Sequence, residues 1–452
     1  MKIPRALTIA GSDSGGGAGI QADLKTFAAL GVHGLCAITS ITAQNTVEVT
    51  RIYDLPADLI QEQIRVVVRD IGVDAVKTGM LHTPEIIEAV SSELKRVEAP
   101  IVADPVMIAK SGARLLREDA VKSLIENLIP LAYIITPNAL EAEVLAGIKV
   151  RDLEAQKKAA EIISEMGAKG VVVKGGHVAD GRVVDVLYFE GEFRVYESER
   201  LESRTTHGTG CTFASAIAAE LAKGRSVFDA VEHAKRFVAD AIRYGLPIGE
   251  GSGPVNPVGR LLRDAEKFRA LEVMRKAIEL VESSGLIAEA IPECQTNLCM
   301  AIEGAESLEE VAAIPGRIVR VWDKAKASAH PWFSASRHVA KAILTAMNHD
   351  PRIRAAMNIR YDRKLIDAAR SLGWIVSFYD RREEPEDLRQ LEGRTIPWGV
   401  EAAIRRAGGK VPDLIYHEGD WGKEPMILIL GRDAVEVVRK AEKLLRKAFH
   451  EE

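Results

Sequence analysis

Apolar residues recur along this chain with two different periods, and the alternation of these periods predicts its elements. LTIAG (7–11) is a short apolar run typical of a buried strand, and Ile20, Leu24 and Phe27 then return at helical spacing. Further β-rich runs are separated by segments of helical period, such as 85–97. This alternation predicts an α/β fold with a mostly parallel sheet flanked by helices, because each parallel crossover needs a connecting element.

The second half of the chain repeats this mixture after a break at residues 244–259. Glycines and prolines crowd that segment, so it cannot continue a helix and is expected to form a linker. We therefore predict two domains, 1–258 and 259–452, the second a smaller α/β domain into which a helix at 264–283 leads. A chain of 452 residues also exceeds what one compact core usually holds.

Other segments give more local expectations. Residues 185–198 predict an antiparallel hairpin that turns at Gly191-Glu192. Helical periods in the second domain predict four further helices, at 337–347, 363–372, 398–407 and 433–449.

Composition narrows the class of function. A formal net charge of −5 gives no reason to expect a nucleic-acid partner, and no apolar run reaches the ~20 residues that cross a bilayer. Four cysteines are too few for a disulfide framework in a chain of this length, so we expect a cytoplasmic protein. An enzyme acting on small molecules fits these features.

Two glycine-rich motifs suggest where such chemistry takes place. GSDSGGGAG (11–19) lies between a strand and a helix, where backbone amides at the helix start favour an anion. It lacks the Lys-Ser/Thr ending of a P-loop. A flexible turn is the alternative interpretation, and the motif alone does not decide between them.

The second motif, GTGCT (208–212), precedes a strongly apolar helix. The amides of Gly208, Thr209, Gly210 and Cys211 would face whatever lies over the helix N-terminus, a suitable cradle for a phosphoryl group. The helix start should also lower the pKa of the Cys211 thiol, which could then accept a proton from an attacking hydroxyl. The alternative is a buried cysteine that only fills space.

Taken together, the motifs of the first domain resemble the hydroxymethylpyrimidine/phosphomethylpyrimidine kinases of thiamin synthesis, which have a ribokinase-like fold. The resemblance covers about residues 1–258. It rests on motifs that occur in order: GSDSGGGAGIQAD (11–23), TAQNT (42–46), KTGM (77–80), ADPVM.AKSG (103–112), TPN..E (136–141), VVKGGH (172–177) and THGTGCT (206–212).

This resemblance implies roles for particular residues at the pyrimidine. Gln44 should read the aminopyrimidine ring, because an amide offers both a donor and an acceptor. Asp23 is expected near the hydroxymethyl group or the ring face, although a charge on a helix surface is the alternative. Gly11 and Met80 would line the same pocket.

The resemblance also implies an ATP site. Lys174 would contact the nucleotide phosphates together with the Gly208–Cys211 segment. Asn138 and Glu141 match an N-x-x-E element that organises Mg²⁺ and water around the phosphates, with Glu141 acting on the metal indirectly. ATP and Mg²⁺ are the expected cofactors.

The second domain resembles the archaeal-type thiamine-phosphate synthase domain (ThiN-type), over about residues 265–452. The resemblance implies coupling of the pyrimidine pyrophosphate to thiazole phosphate, with Arg320 and His338 as the expected catalytic pair. Ser336 and Arg337, at a helix start, and Lys423, in GDWGKEPMI, are further candidate phosphate contacts. Trp421 is bulkier than expected in that last loop.

Two alternatives remain open at the level of sequence. The first domain resembles pyridoxal kinases in architecture, and the second domain has relatives that only sense thiamin phosphate. By analogy with ribokinase-like enzymes we also expect a homo-oligomer.

Overall fold

A computed structural model describes residues 2–108, 112–113, 115–177, 181–385, 395–420 and 423–450. Residues 109–111 of the ADPVM.AKSG motif (103–112) and Trp421 therefore lie outside the described residues. The chain divides into two compact units, Met1–Leu261 and Leu262–Glu452. No described helix is long and apolar enough to cross a membrane.

The first unit is built on a sheet with nine strands among the described residues, in the order β3-β2-β1-β4-β5-β6-β7-β8-β9. The strands are β1 Arg5–Asp13, β2 His33–Gln44, β3 Val49–Asp54, β4 Ala75–Thr78, β5 Ile101–Ala103, β6 Ile134–Ile135, β7 Gly170–His177, β8 Arg182–Phe189 and β9 Glu192–Glu199. The six central strands from β2 to β7 are parallel, and the strands outside them pair antiparallel.

Helices cover both faces of this sheet. They are α1 Gly19–Ala29, α2 Ala57–Asp70, α3 Pro84–Leu94, α4 Ala120–Ser123, α5 Ala139–Ala146, α6 Leu153–Glu165, α7 Thr209–Ala222 and α8 Val227–Arg243. Alternation along β1 explains the two layers: Leu7 and Ile9 join a core with α2 and α3, while Ala6 joins a core with α1, α7 and α8. The carboxyl ends of the parallel strands meet at one edge, which is where ligands bind in open α/β sheets.

The second unit has a sheet in which seven strands are described, in the order β14-β11-β10-β15-β18-β17-β16, beside a two-stranded ribbon of β12 and β13. The strands are β10 Leu298–Ala301, β11 Val311–Ala313, β12 Ile318–Val321, β13 Lys324–Ala327, β14 Trp332–Phe333, β15 Ala355–Arg360, β16 Val376–Phe378, β17 Leu414–His417 and β18 Met426–Gly431. The helices are α9 Gly259–Ser283, α10 His338–Met347, α11 Arg363–Ser371, α12 Thr395–Arg406 and α13 Ala434–Phe449.

Strand alternation again separates two core layers in this unit. Leu298 and Met300 of β10 face the layer of α9, α11 and α13, and Cys299 faces the layer of α10 and α12. Because β10 and β18 run opposite to β15 and β17, the carboxyl ends of β15, β16 and β17 share an edge with the start of β10.

The predicted fold class, a mostly parallel sheet flanked by helices followed by a second α/β domain, is confirmed. Two details differ from the prediction. The hairpin turns one residue earlier, at Glu190-Gly191, because both residues have positive φ and close a two-residue loop between Phe189 and Glu192. Helix α9 begins at Gly259 rather than 264.

Candidate active sites

A cavity of about 700 Å³ lies at the carboxyl edge of the first sheet. Its wall contains ten of the residues that the sequence singles out: Gly11, Gln44, Met80, Asn138, Glu141, Lys174, Gly208, Thr209, Gly210 and Cys211. Asp23 is the exception among those of the first domain. Residues distant in sequence thus share one space that is large enough for a small ring and a nucleotide.

The first glycine motif is organised around a single carboxylate. Asp13 accepts hydrogen bonds from the amides of Gly15, Gly17 and Ala18 at 2.8, 3.1 and 2.8 Å. Burial works to raise the pKa of Asp13, but the bond with His207 and these amides outweigh it, and the net pKa is lowered. The interpretation of this loop as an anion cradle is therefore wrong, since the protein's own carboxylate already occupies its amides.

His207 connects this loop to the second motif and to the ring end of the cavity. Its Nε2 lies 3.0 Å from Asp13 Oδ2 and 3.4 Å from Nε2 of Gln44. The Thr42 hydroxyl lies 3.2 Å from Gln44 Oε1 and 3.0 Å from the carbonyl of Ser12, so these two oxygens share its one proton. Gln44 presents a donor and an acceptor to the cavity.

Gly11 and Met80 form the adjoining wall. A Cβ on Gly11 would lie 3.2 Å from the sulfur of Met80, so glycine leaves room for the thioether. Met80 is buried, and its carbonyl accepts from Thr39 at 2.9 Å. The result is an apolar surface beside the amide of Gln44.

The second glycine motif forms the start of α7. Gly208 caps the helix with a φ of 83°, and Thr209 Oγ1 donates to the carbonyl of Thr206 at 2.5 Å. Within the described part of the chain, the amides of Gly210 and Cys211 have no hydrogen-bond acceptor. These amides open into the cavity at a helix N-terminus, as expected for an anion site.

Cys211 is half-buried in this position, but its chemistry differs from the prediction. Burial raises the pKa of the Cys211 thiol to about 11, and the nearby Lys77 offsets this only in part. The expectation of a lowered pKa is wrong, because it considered the helix start and not the packing around the sulfur. In this state Cys211 is a neutral thiol at physiological pH.

Asp23 lies beneath the cavity and not beside a substrate. Its carboxylate is fully buried, pairs with Lys77 at 2.9 and 3.0 Å, and accepts from the hydroxyls of Thr8 and Ser215 at 2.6 and 2.7 Å. The predicted contact with the hydroxymethyl group is therefore corrected: these internal partners use the carboxylate.

Lys174 lies within β7, where the pairing with β8 is irregular, and forms an ion pair with the buried Asp104 at 3.0 Å. A Cβ on Gly210 would lie 3.4 Å from Lys174 Nζ, so the ammonium is next to the start of α7. Burial works to lower the pKa of Lys174, but Asp104 and Glu141 outweigh it, and the net pKa is raised. Lys174 is thus charged and close to the free amides.

Asn138 and Glu141 form a reciprocal capping box at the start of α5. Each side chain accepts the other residue's amide at 2.9 Å. Burial raises the pKa of Glu141 to about 7, with Lys174 opposing and Asp104 adding to the shift. Among the described residues, no group of three acidic, histidine or cysteine side chains is arranged to hold a metal alone.

Four residues of this site carry roles that the sequence did not assign to them: Asp13, Lys77, Asp104 and His207. Each lies within a motif already noticed, yet its partner is distant, 194 residues away for Asp13 and His207. The sequence shows that these charged residues and the histidine lie within motifs, but which of them pair with each other depends on the fold.

In the second unit, His338 begins α10 at the edge where β15, β16 and β17 end. Partial burial lowers the pKa of His338, and the positive charges of Arg317, Lys341, Lys423 and Arg381 lower it further. Four cationic side chains from separate segments thus converge on one histidine. Such a cluster suits a ligand with several phosphate charges.

Arg320 is not among the four charges that act most strongly on His338. It lies exposed on the β12–β13 ribbon, opposite Ala325, and its Nε donates to the carbonyl of Trp322 at 2.8 Å. The catalytic pairing of Arg320 with His338 stays a prediction, and Arg317, which precedes the ribbon, is the cation that acts most strongly on the histidine. Arg317 has a φ of 69°, and its guanidinium donates to the carbonyl of Cys294.

Three further residues were predicted to contact phosphate: Lys423, Arg337 and Ser336. Lys423 faces His338, and its backbone pairs with Asp420 in a tight turn at 2.8 Å. Arg337 is exposed at the N-cap of α10. Ser336 lies near the buried Cys299 and acts to lower the pKa of that thiol, although burial has the larger effect and raises it.

Asn297 holds the turn that carries Arg317. Its side chain accepts from the amide of Ile314 at 3.1 Å and donates to the same residue's carbonyl at 3.2 Å. The side chain of Asn358 fixes Asn297 in turn, accepting from its amide at 2.7 Å. The buried side chain of Asn297 thus makes the two hydrogen bonds to Ile314 that a neighbouring strand would otherwise make, next to the cationic cluster.

Comparisons with known proteins agree with this division of the chain. Residues 13–256 match the phosphomethylpyrimidine kinase family, and residues 273–443 match thiamine-phosphate synthase ThiN. A hydroxymethylpyrimidine/phosphomethylpyrimidine kinase of Bacillus subtilis is 48% identical over 258 residues, which are 57% of this chain and 95% of that protein.

A longer relative is matched over part of its length. The thiamine biosynthesis bifunctional protein ThiED of Geobacter sulfurreducens is 49% identical over 253 residues, 56% of this chain and 52% of the relative. The chain thus spans about half of that protein, through its own first unit.

Solved structures resemble the first unit. Pyridoxal kinase of Bacillus subtilis, in an ADP complex, is 41% identical with a TM-score of 0.54, covering 58% of this chain and all of that one. Pyridoxal kinase of Staphylococcus aureus, with AMP-PCP and pyridoxal, is 38% identical with a TM-score of 0.54, covering 57% of this chain and 95% of that one. Residues 273–443 match the thiamine-phosphate synthase ThiN family, and through residues 13–256 the chain belongs to the phosphomethylpyrimidine kinase family.

Proposed function

We propose that this bifunctional enzyme makes thiamin phosphate in consecutive steps. The first unit phosphorylates 4-amino-5-hydroxymethyl-2-methylpyrimidine and then its monophosphate with ATP, and the second couples the resulting pyrophosphate to thiazole phosphate. The observation that carries the kinase step is the single cavity that joins Gln44 and Met80 to Lys174 and the start of α7. A ring and a phosphoryl donor can meet there.

In the kinase step, the hydroxymethyl oxygen forms a bond to the γ-phosphorus while the bond from that phosphorus to ADP breaks. The amides of Gly210 and Cys211 would receive the oxygens of the transferring group, and Lys174 would balance their charge. Such transfer has a loose transition state, so positioning matters more than a strong base. Gln44 would orient the ring through its side-chain amide.

The residues present fit a magnesium ion that is held mainly by phosphates. Burial and the neighbouring Asp104 raise the pKa of Glu141 to about 7, which is the behaviour of a carboxyl group that favours an added positive charge. Mg²⁺ usually takes one or two carboxylates plus substrate phosphates. We propose that Glu141 holds it through water and that the ion neutralises phosphate charge, as a cofactor alongside ATP.

Cys211 would act at the same place as a neutral thiol. Because burial raises its pKa to about 11, it is not a ready base in the free protein. We propose that it positions the attacking hydroxyl beside the free amides, and that the hydroxyl proton passes late in the transfer to an oxygen of the phosphoryl group. Asn138 contributes by fixing Glu141 through the capping box.

In the coupling step, the thiazole nitrogen forms a bond to the methylene carbon of the pyrimidine as the bond to pyrophosphate breaks. Arg317, Lys423 and the exposed Arg337 would balance the departing charge, and His338 would bind or protonate it. This cationic cluster also argues against a domain that only senses thiamin phosphate, since that ligand leaves no pyrophosphate to neutralise.

One assay tests both units. The full chain receives the hydroxymethylpyrimidine, ATP, Mg²⁺ and thiazole phosphate, and thiamin phosphate is measured. Formation of the pyrimidine pyrophosphate without thiamin phosphate would refute the synthase function. Arg317→Ala should reduce coupling by at least ~100-fold and leave the kinase unchanged, and Arg320→Ala in the same assay tests whether the arginine on the ribbon also acts in coupling.

A pyridoxal kinase is the second candidate, because the solved structures that resemble this unit with TM-scores above 0.5 include pyridoxal kinases with pyridoxal or nucleotide. Relative kcat/KM values decide between the two. Faster phosphorylation of pyridoxal than of the hydroxymethylpyrimidine would overturn the assigned substrate.

We also propose a homo-oligomer. β3 forms an edge of the first sheet, and the paired residues Ile41 and Tyr53 next to that edge are exposed. Such an edge favours association with another copy. Light scattering of the full chain tests this, and a monomer at micromolar concentration would refute it.

A further inference from the structure

The buried ion pair of Lys77 and Asp23 has no part in the chemistry proposed above. Both side chains have no exposed surface, and neither lines the described cavity. Replacing a buried ion pair by apolar residues is often neutral or stabilising, so such a pair is weak evidence for stability alone. Its position near the reactive end of α7 suggests a different reason for its presence.

Hydrogen bonds connect the pair to four elements at the centre of the site. Asp23 on α1 accepts from Thr8 on β1 at 2.6 Å and from Ser215 on α7 at 2.7 Å, while Lys77 comes from β4. Ser215 lies four residues, about one turn, after Cys211 and therefore on the same face of α7. The pair thus fixes the rotation of the helix whose first amides face the cavity.

The charges of this pair also act on the thiol of Cys211. Four charged groups from separate elements act on the thiol: Lys77 on β4, Asp23 on α1, Asp104 after β5, and Lys174 on β7. Lys77 acts most strongly among the charges, ahead of both carboxylates. The ammonium is therefore the charge of the pair that acts more strongly on Cys211, while the carboxylate makes the hydrogen bond to α7 through Ser215.

We propose that Lys77 is a positioning residue for phosphoryl transfer: held by Asp23, its buried ammonium fixes the start of α7 and directs positive charge toward Cys211 and the anion above it. This inference rests on the proposed kinase function. Gly79 is consistent with it, because a Cβ there would lie 2.7 Å from Lys77 Nζ and 2.9 Å from Ala10 Cβ, so the ammonium fills its space tightly.

Alkylation of Cys211 tests the charge effect without any kinase substrate. The full chain reacts with iodoacetamide at pH 8.5, and mass spectrometry follows the Cys211 peptide, with the exposed Cys294 as internal reference. Lys77→Met should slow the reaction about tenfold, the effect of one pKa unit, because Asp23 is left as the nearest charge. Asp23→Asn should accelerate it, because the ammonium is then uncompensated.

A charge effect changes the alkylation rates of the two variants in opposite directions, whereas general damage to the structure would change both rates in the same direction. Two rates that change together, or that both equal the wild-type rate, overturn the proposal. Lys158→Met, which removes an exposed ion pair with Glu161 on α6, is the matched control and should react at the wild-type rate.

Kinase assays supply the second readout. Lys77→Met should lower kcat about 100-fold while the KM for the pyrimidine changes little, since Lys77 is not on the cavity wall. If a single variant fails to fold, Lys77→Met/Asp23→Leu removes both buried charges together, and wild-type kcat in that chain overturns the proposal. A wild-type chain without kinase activity would refute the proposed function alone, because alkylation still reports the effect of Lys77.

Discussion

Replacing Gly208 by alanine tests how closely the two glycine motifs pack. Gly208 has a φ of 83°, a left-handed conformation that side chains other than glycine adopt only at a cost. A Cβ there would lie 2.9 Å from the carbonyl carbon of Gly17 and closer still to its oxygen. Both the backbone of Gly208 and the opposite segment would have to change.

The magnitude follows from these two effects. The left-handed conformation costs about 1–2 kcal/mol for a non-glycine residue. Carbon atoms pack at about 3.5–4.0 Å and the carbonyl oxygen is closer than the carbon, so the segments would have to separate by at least roughly 1 Å. Because a displacement of about 1 Å at a reacting centre can cost ~100-fold in rate, we expect that loss in kcat. The unfolding midpoint of the first unit should fall by about 2–4 °C per kcal/mol.

Gly210→Ala is the matched control on the same helix turn. A Cβ there would make ordinary contacts, 3.4 Å to Lys174 Nζ and 3.5 Å to Asp104 Oδ2. We expect an unchanged unfolding midpoint and a raised KM for ATP, because the methyl group takes space beside Lys174. Thermal unfolding and steady-state kinase kinetics measure both variants. Wild-type kcat and midpoint in Gly208→Ala would refute the packing argument.

Two further predictions concern the second unit. Burial lowers the pKa of His417 from 6.5 to about 4, so the unfolded chain protonates first. Stability is therefore present above pH 6.5 and lost, by up to about 3 kcal/mol, as the pH falls toward 4. Hydrogen exchange of the β17 amides should show a lower free energy of opening at pH 5 than at pH 7 in the wild type and not in His417→Asn. The same change with pH in both chains would contradict this prediction. Asn297→Ala should lower the coupling kcat at least ~10-fold by releasing the Arg317 turn, with kinase activity intact, and unchanged coupling would contradict it.

Local pattern was enough to predict the fold class and much of the first site. Alternating apolar residues identify the strands. Gln44 ends β2, and Lys174 lies in β7 opposite Asn138, so the topology brings them to one edge of the sheet. The hairpin at 185–198 was predicted from its period, with an error of one residue at the turn. These features depend on neighbours within a few residues.

Features that depend on distant partners could not be read in this way. Asp23 and Lys77 are 54 residues apart, and only the packing of α1 against β4 makes them a pair. The predicted pKa of Cys211 used the helix start, but burial by other elements has the larger effect and raises it. Arg317 and Arg320 are both arginines of one segment, and the sequence alone does not tell that Arg317 acts most strongly on His338 among the nearby cations.

The two units differ in how they balance phosphate charge, and this difference has a consequence for the metal. In the kinase cavity Lys174 is already paired with Asp104, and Lys77 beneath it with Asp23, while Glu141 adds a third carboxyl group. Their charges largely cancel, so ATP brings negative charge that these residues do not neutralise. The kinase step should therefore depend strongly on a divalent cation.

Around His338 the four strongest charges are all positive. A departing pyrophosphate can be neutralised there by side chains, so the coupling step should tolerate a lower Mg²⁺ concentration than the kinase step. Supplying the pyrimidine pyrophosphate directly and titrating Mg²⁺ in each half-reaction measures this difference. A coupling rate that requires the same or a higher Mg²⁺ concentration than the kinase rate would mean that the cationic cluster does not carry the pyrophosphate charge.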